Sequence, residues 1–228
     1  MAKKKLQHFT ENHSFAHVFQ PNNEQMKSGE HEIKGKWNTD YFKNTNPLIL
    51  ELGCGKGEYT VGMSTLLPEN NYVGVDIKGA RIWRGAKTVE ENKITNAAFL
   101  RTKVEFLTSF FAPNEVDEIW LTFSDPQPTD KKGTKRLTSS NFIEIYRKIA
   151  KPNAMVHLKT DSIFLYECAL ETIASYKLQI LKSTVDLYAD KMEGLTDTEQ
   201  KVLAIKTFYE NKFLPNGIKI NYCKFTLW

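Results

Sequence analysis

From residue 47 onward, short continuous apolar runs alternate with stretches of helical period, and this alternation sets the expected fold. The run at 48–52 is apolar on both sides of the chain except at Glu51, as in a strand covered on both faces. Similar runs predict strands at 72–76, 97–101, 118–123 and 154–159, and longer alternating stretches predict two more at 178–185 and 218–227. Residues 58–67, 79–92, 139–150 and 164–175 predict helices. Pro68 closes the first. The second sets Ile82, Ala86 and Val89 on one face and Arg81, Arg84 and Lys87 on another. The third starts among Ser, Thr and Asn residues, which cap helices. Strand and helix in alternation predict an α/β, Rossmann-like fold: a mostly parallel seven-stranded sheet with helices on both faces. Residues 1–46 are polar and carry few regular patterns. Phe15, Val18, Phe19, Trp37, Tyr41 and Phe42 are the anchors by which this arm is expected to pack on a main domain at 47–228.

The end of the first strand carries the most specific signal. Leu48-Ile49-Leu50-Glu51-Leu52 breaks into Gly53-Cys54-Gly55-Lys56-Gly57, and Asp76 follows Gly57 by 19 residues at the end of the next strand. Glycine allows a sharp turn at a strand end and a close approach of ligand to backbone. A carboxylate at the end of the next strand can take two hydrogen bonds from a ribose diol. A dinucleotide turn, G-x-G-x-x-G, would place its third glycine at 58, which is Glu58. Pyrophosphate also needs positive potential there, whereas Glu51 and Glu58 flank the turn. The spacing disfavours an oxidoreductase and suits a cationic nucleoside without phosphates, such as S-adenosylmethionine. A glycine turn with no ligand is the plain alternative, and Glu51 together with Asp76 argues against it.

A second constellation follows the fourth strand. Ile119-Trp120-Leu121-Thr122-Phe123 runs into Ser124-Asp125-Pro126-Gln127-Pro128. Ligands of such sheets sit beyond the carboxyl ends of the strands, so Asp125 is expected in the same crevice as Glu51 and Asp76. The alternative is an Asp-Pro turn without chemistry. Lys131, Lys132, Lys135 and Arg136 come next, interrupted by Gly133. With the basic face of 79–92 and with Lys3 to Lys5, they favour a nucleic-acid substrate over a small molecule.

Bulk properties narrow the field further. With 228 residues, 41% of them hydrophobic, the chain can fill one large α/β core. A formal net charge of +4 is too weak by itself to identify a nucleic-acid partner. No apolar stretch reaches the ~20 residues needed to span a bilayer, so no membrane association is expected. The N-terminus is basic without an apolar segment behind it, so no secretory signal is expected. Cys54, Cys168 and Cys223 are odd in number and far apart, which predicts free thiols and a cytoplasmic protein. Cys54 reads as a small turn residue, with no base beside it to make it a nucleophile. His13 and His17 are four apart, without the cysteines or carboxylates of a zinc site, so no metal is expected.

From about Lys36 to the C-terminus the chain resembles the bacterial tRNA (guanine-N7-)-methyltransferases, S-adenosylmethionine-dependent enzymes of the class I methyltransferase fold. The resemblance rests on Gly35-Lys36-Trp37-Asn38, on the glycine turn with Glu58, and on Gly74-Val75-Asp76-Ile77-Lys78. Residues 123–137 are similar to the family's F-P-D-P-W-P-K segment with its basic tail. His157-Leu158-Lys159-Thr160-Asp161 is similar to its H-x-x-T-D, and Thr207-Phe208-Tyr209-Glu210 to its T-K-F-E. The resemblance implies that Glu51, Gly53, Gly55 and Asp76 bind the cofactor, that Thr102 touches the adenine region, and that Asp125 borders both cofactor and base. It implies that Thr129, Asp161, Thr207, Phe208, Tyr209 and Glu210 hold the substrate, with Lys131, Lys132, Lys135 and Arg136 on the tRNA backbone. It also implies guanine 46 of the variable loop as the target and S-adenosylhomocysteine as the second product. The chain departs from the pattern at Thr102 for Asp, Gln127 for Trp, Thr129 and Phe208 for Lys, and at Gly133-Thr134, which thins the basic run. Lys151-Pro152-Asn153-Ala154 replaces a Pro-Gly-Gly turn. A working enzyme with an altered grip on tRNA is expected.

Guanine N7 carries an in-plane lone pair and no proton, so its methylation needs no general base. Alignment and a carboxylate near the purine that becomes cationic should carry the rate, with Asp125 as the catalytic residue, Asp161 expected beside the base with it, and Glu210 as a third candidate. Enzymes that methylate exocyclic amines use a D/N-P-P-[YFW] pattern, and Asp125-Pro126-Gln127-Pro128 has no aromatic at its fourth place. Another RNA base methyltransferase and a tRNA-binding protein with weak catalysis stay open as alternatives, as does the choice between monomer and homodimer.

Overall fold

The computed structural model describes residues 2–190 and 192–228; the side chains of residues 2–4, 130–132 and 213 lie outside that description. In chain order the strands are β1 (Val18–Phe19), β2 (Leu48–Leu52), β3 (Asn71–Asp76), β4 (Ala97–Arg101), β5 (Val116–Thr122), β6 (Ala150–Thr160), β7 (Ile180–Thr184) and β8 (Asn221–Thr226). They form one sheet in the order β1-β4-β3-β2-β5-β6-β8-β7. Strands β1 to β6 run parallel to one another, and β8 lies antiparallel between β6 and β7. All seven predicted strands are present, and the expected count is corrected to eight: Val18 and Phe19 pair with Phe99 and Leu100 on the outer edge of β4. Two residues are too short a run to show strand periodicity in a sequence.

The helices are α1 (Ala2–Glu11), α2 (Asn23–Lys27), α3 (Glu58–Leu66), α4 (Gly79–Glu91), α5 (Ser140–Ile149), α6 (Ile163–Ser175), α7 (Asp197–Leu203) and α8 (Phe208–Phe213). The four predicted helices are α3 to α6. Three of the others open with reciprocal caps: Asn22 with Gln25, Thr196 with Glu199, and Thr207 with Glu210. Each is a polar residue followed three places later by Glu or Gln, a helix-start signal short enough to pass for loop. Ser139 precedes α5 without capping it; its hydroxyl donates to the Thr134 carbonyl at 3.2 Å instead.

Strand residues alternate between two faces. Leu48, Leu50, Leu52, Val73, Val75, Ile119, Leu121, Val156 and Leu158 enter the larger core, with residues of α5, α6 and the arm. On the other face Ile49, Tyr72 and Trp120 pack with α3 and α7, and Ala97 and Phe99 with α4. By the same alternation Glu51, Thr122, His157 and Lys159, all buried, belong to this second face. The sheet therefore has one greasy face and one face that carries buried polar groups.

The arm is built into the larger core. Trp37 is fully buried, donates from Nε1 to the Phe110 carbonyl at 2.9 Å and stacks on Phe111. The Glu115 carboxylate accepts from the backbone N–H groups of Gly35, Trp37 and Ala112 at 3.0, 3.2 and 2.7 Å. Strand β2 pairs with β3 on one side and β5 on the other, so the strand order reverses there. A crevice opens at the carboxyl end of a sheet at such a reversal.

Candidate active site

The glycine turn hooks over β3. Gly53 and Cys54 donate backbone N–H groups to the Val75 carbonyl at 2.8 and 3.0 Å. Gly57 caps α3 with φ 69°, and a Cβ there would lie 2.5 Å from the Phe99 ring, so both backbone and packing require glycine. Asp76 braces the turn from β3: one oxygen accepts from Gly55 N at 3.0 Å and the other from Lys78 N at 2.7 Å. Each oxygen keeps a further lone pair.

Two adjoining cavities open around this turn and share Gly53, Arg81 and Phe123. One, of about 380 Å³, is lined by Asp76, Thr102, Ser124, Asp125, Gln127 and Lys135 among others. The second, of about 270 Å³, is lined by Glu51, Gly55, Lys56, Thr207, Phe208 and Tyr209 among others. Thr102 is fully buried and Ser124 nearly so, and neither hydroxyl has a hydrogen-bond partner within the protein. Unsatisfied buried hydroxyls beside a cavity are donors and acceptors held for something that enters it.

Glu51 is 2% exposed and hydrogen-bonded on both oxygens. It accepts from Thr122 Oγ1 at 2.6 Å and from Thr60 N and Oγ1 at 2.7 and 2.5 Å. Burial pushes its carboxyl up to about 7, against the pull of those three bonds. Near neutrality the site therefore holds a carboxyl that a nearby cation would shift to its ionised form, with the proton released to solvent.

Asp125 is exposed at the cavity rim, and its carboxylate accepts from Gln127 N at 3.0 Å. The loop around it turns twice through left-handed backbone, at Phe123 (φ 50°) and Gln127 (φ 45°), a conformation that costs energy in a residue with a side chain. Arg136 holds that shape. It donates to the Pro126 carbonyl at 3.3 Å and to the Gln127 carbonyl at 3.2 and 3.1 Å, and its guanidinium lies 4.7 Å from the Phe164 ring centre. Thus Arg136, half-buried, braces the Asp125 loop, while Lys135 is exposed and faces the larger cavity. Lys131 and Lys132 have side chains outside the described residues. Thr129 is exposed and lines neither cavity.

Of the late motif, Thr207, Phe208 and Tyr209 reach the smaller cavity. Phe208 is 61% exposed, with Lys56 Nζ 4.2 Å from its ring centre and its N–H donated to Glu58 at 3.2 Å. Glu210 lies behind this wall, 1% exposed, in contact with the Lys159 ammonium at 2.8 Å. Asp161 is half-buried at the end of β6 and lines neither cavity; burial raises its carboxyl above the usual range. Sequence reasoning missed Lys159, Tyr59, Ser124 and the position of Arg81 between the cavities. A lysine alternating with Val156 and Leu158 in an apolar strand was the signal for the first, because such a charge must find buried partners.

Residues 45–221 match the family model described as a putative methyltransferase. A tRNA (guanine-N(7)-)-methyltransferase of Christiangramia forsetii is 44% identical over 99% of this chain and 99% of its own length. One from Bacteroides fragilis is 46% identical over 100% of this chain and 87% of its own, and one from Bacillus subtilis is 34% identical over 76% and 82%. Among solved structures, the 16S rRNA methyltransferase KamB superposes with a TM-score of 0.60 at 14% identity, covering 86% of this chain and 94% of its own. At that identity the likeness concerns the fold.

Proposed function

The chain belongs to the tRNA (guanine-N(7)-)-methyltransferases and is an enzyme of that kind, and on that premise we propose that it takes its methyl group from S-adenosylmethionine and delivers it to guanine 46 of the variable loop. The observation that carries the cofactor assignment is the larger cavity, where the Asp76 carboxylate, a ribose-diol acceptor, stands with the unpartnered Thr102 and Ser124 hydroxyls. Thr102 stands where the family has Asp, and its buried hydroxyl can accept from an adenine amino group or donate to a ring nitrogen. The smaller cavity, with Glu51 in its wall, suits the cationic amino-acid end. The cofactor fits this donor set, and when bound it supplies an electrophilic methyl group on a sulfonium.

The residues of the chain then have distinct tasks. Thr207, Phe208 and Tyr209 form the wall against which the guanine is held, with the exposed aromatic rings available for stacking. Asp125, on its braced loop, supplies negative charge where the purine becomes cationic. No residue need take up a proton, since N7 carries none. Lys135, with Lys131 and Lys132, is assigned to the tRNA backbone. The substrate and the reduced thiols of Cys54, Cys168 and Cys223 both support a cytoplasmic enzyme. Among the described residues no helix is long and apolar enough to cross a membrane. The protein acts as a monomer or homodimer.

The test is transfer of labelled methyl to unmodified tRNA, followed by mapping through chain cleavage at N7-methylguanosine. Label at guanine 46 is expected, and label confined to any other base overturns the assignment. In the same assay Asp125→Asn should slow single-turnover transfer roughly 10²-fold, the scale of losing one preorganised electrostatic group. Cofactor affinity should change far less, and an Asn variant running at the parent rate removes Asp125 from catalysis.

A further inference from the structure

Lys159, next to last in β6, is 0% exposed and is bonded to Tyr59, which lines the smaller cavity. Its ammonium meets five acceptors: Tyr59 Oη at 2.9 Å, Tyr188 Oη at 3.2 Å, the carbonyls of Leu203 and Ile205 at 3.0 and 3.2 Å, and Glu210 Oε1 at 2.8 Å. These belong to α3, to the segment after β7, to the end of α7 and to α8. From Glu210 the chain of contacts continues to the cavity wall. Its other oxygen accepts from Thr207 N at 3.0 Å, and Thr207 Oγ1 accepts from Glu210 N at 3.1 Å. Thr207 and Tyr59 both line the cavity.

We propose that Lys159 is a positioning residue for the target guanosine, acting through Glu210 to set the 207–209 segment against the cavity. The inference rests on the reading in which that segment holds the base. A buried ion pair adds little net stability compared with apolar packing of the same volume, because both charges lose their water. What this ammonium adds is geometry: one point to which four separate elements are tied. It also meets the carbonyl of Leu203, the last residue of α7, where positive charge is favoured, and that of Ile205 two residues beyond, and so fixes the exit of the chain toward Thr207.

The groups that face Lys159 are Glu210, Tyr59, Tyr188 and Lys206. Burial first, and Lys206 after it, lower its pKa to about 8 against the opposing pull of Glu210. Both phenols are raised, so they remain protonated in that range. Above pH 8 the amine loses a donor and its attraction to the carboxylate, and the segment loosens. Stability moves the other way: between about 8 and the usual 10.5 the folded state binds fewer protons than the unfolded one, so this group favours the fold as pH rises. A purely structural lysine would not weaken the enzyme in that window, and a positioning lysine does.

The test is the pair Lys159→Met/Glu210→Gln, which leaves no unpaired buried charge and keeps the α8 cap, since Gln also serves at the third helical position. At pH 7.5 the pair should methylate tRNA with kcat/KM at least ~10-fold below the parent, most of it in KM for tRNA, which reports lost substrate binding. Cofactor Kd, by calorimetry, should stay within about twofold. The parent's alkaline decline in kcat/KM, with a midpoint near 8, should be absent from the pair. Glu210→Gln alone keeps the cap and lowers the midpoint by removing the charge that raises the Lys159 pKa. Parent-like kcat/KM in the pair, or an unmoved alkaline limb in both variants, overturns the proposal. Thr207→Val separates the two readings. If it leaves KM for tRNA unchanged, the segment does not hold the base; if it raises KM while the pair does not, only the Lys159 role fails.

Discussion

At the scale of single residues, the cavity walls hold groups whose protonation or bonding a bound ligand would change. Glu51 is the clearest. Its folded-state carboxyl titrates near 7 and its unfolded value is the usual 4.5, so between those values the folded state binds more protons and Glu51 makes the unliganded fold less stable as pH rises. A cationic amino-acid end in the adjoining cavity favours the carboxylate, so S-adenosylmethionine binding near pH 7 should release a fraction of a proton. Calorimetry in buffers of different ionisation enthalpy should show that release in the parent and not in Glu51→Gln. Equal heats in all buffers for the parent would place the cation elsewhere. The place of Glu51 and Asp76 beside the glycine turn and its cavities was legible in the sequence, because both lie at the carboxyl ends of neighbouring strands. Ser124 and Lys159 were not, because what marks them is an empty or filled hydrogen-bond partner, which only coordinates show.

At the scale of elements, the loop from Phe123 to Arg136 carries both the residue proposed for catalysis and the lysines proposed for RNA binding. Its basic run was legible, and the division of labour within it was not. Arg136 donates to two loop carbonyls, while Lys135 is exposed. Neutralising Lys131, Lys132 and Lys135 should reduce the salt slope of tRNA binding by about 2–3 if all three meet phosphates, given ~0.7–0.9 per phosphate contact. Arg136→Gln should leave most of that slope in place and lower the transfer rate, because the left-handed turns at Phe123 and Gln127 lose their brace. Filter binding across salt, beside single-turnover rates, separates the two. A slope that falls as much with Arg136→Gln as with the triple change would make Arg136 a phosphate ligand. The helices at 197–203 and 208–213 escaped periodicity because seven and six residues hold barely two turns.

For the whole molecule, the parallel sheet was predictable because buried parallel strands are apolar throughout and regularly spaced. The integration of residues 1–46 was not, because its contacts are single aromatic rings and backbone groups held by one carboxylate from far along the chain. Glu115 accepts from three backbone N–H groups, two of them in the arm. Glu115→Ala should cost about 1–3 kcal/mol, the range for buried donors left unsatisfied, read by urea unfolding. An unchanged midpoint would mean that the arm is held without Glu115, by Trp37 with its aromatic neighbours and by the β1–β4 pairing.

Strand β1 also has a consequence for synthesis. Val18 leaves the ribosome 81 residues before its partner Phe99. At about 5–20 residues per second the arm waits roughly 4–16 s for its place in the sheet. When β4 emerges, its outer edge is a ready template for strands of other nascent chains until β1 covers it. The two-residue strand thus acts as a cover strip on one border of the growing domain, and its docking speed should govern yield. Refolding of Glu115→Ala, in which the arm is loosened, should scatter more light than refolding of the parent at equal concentration; equal scattering would mean that the border is safe without its strip.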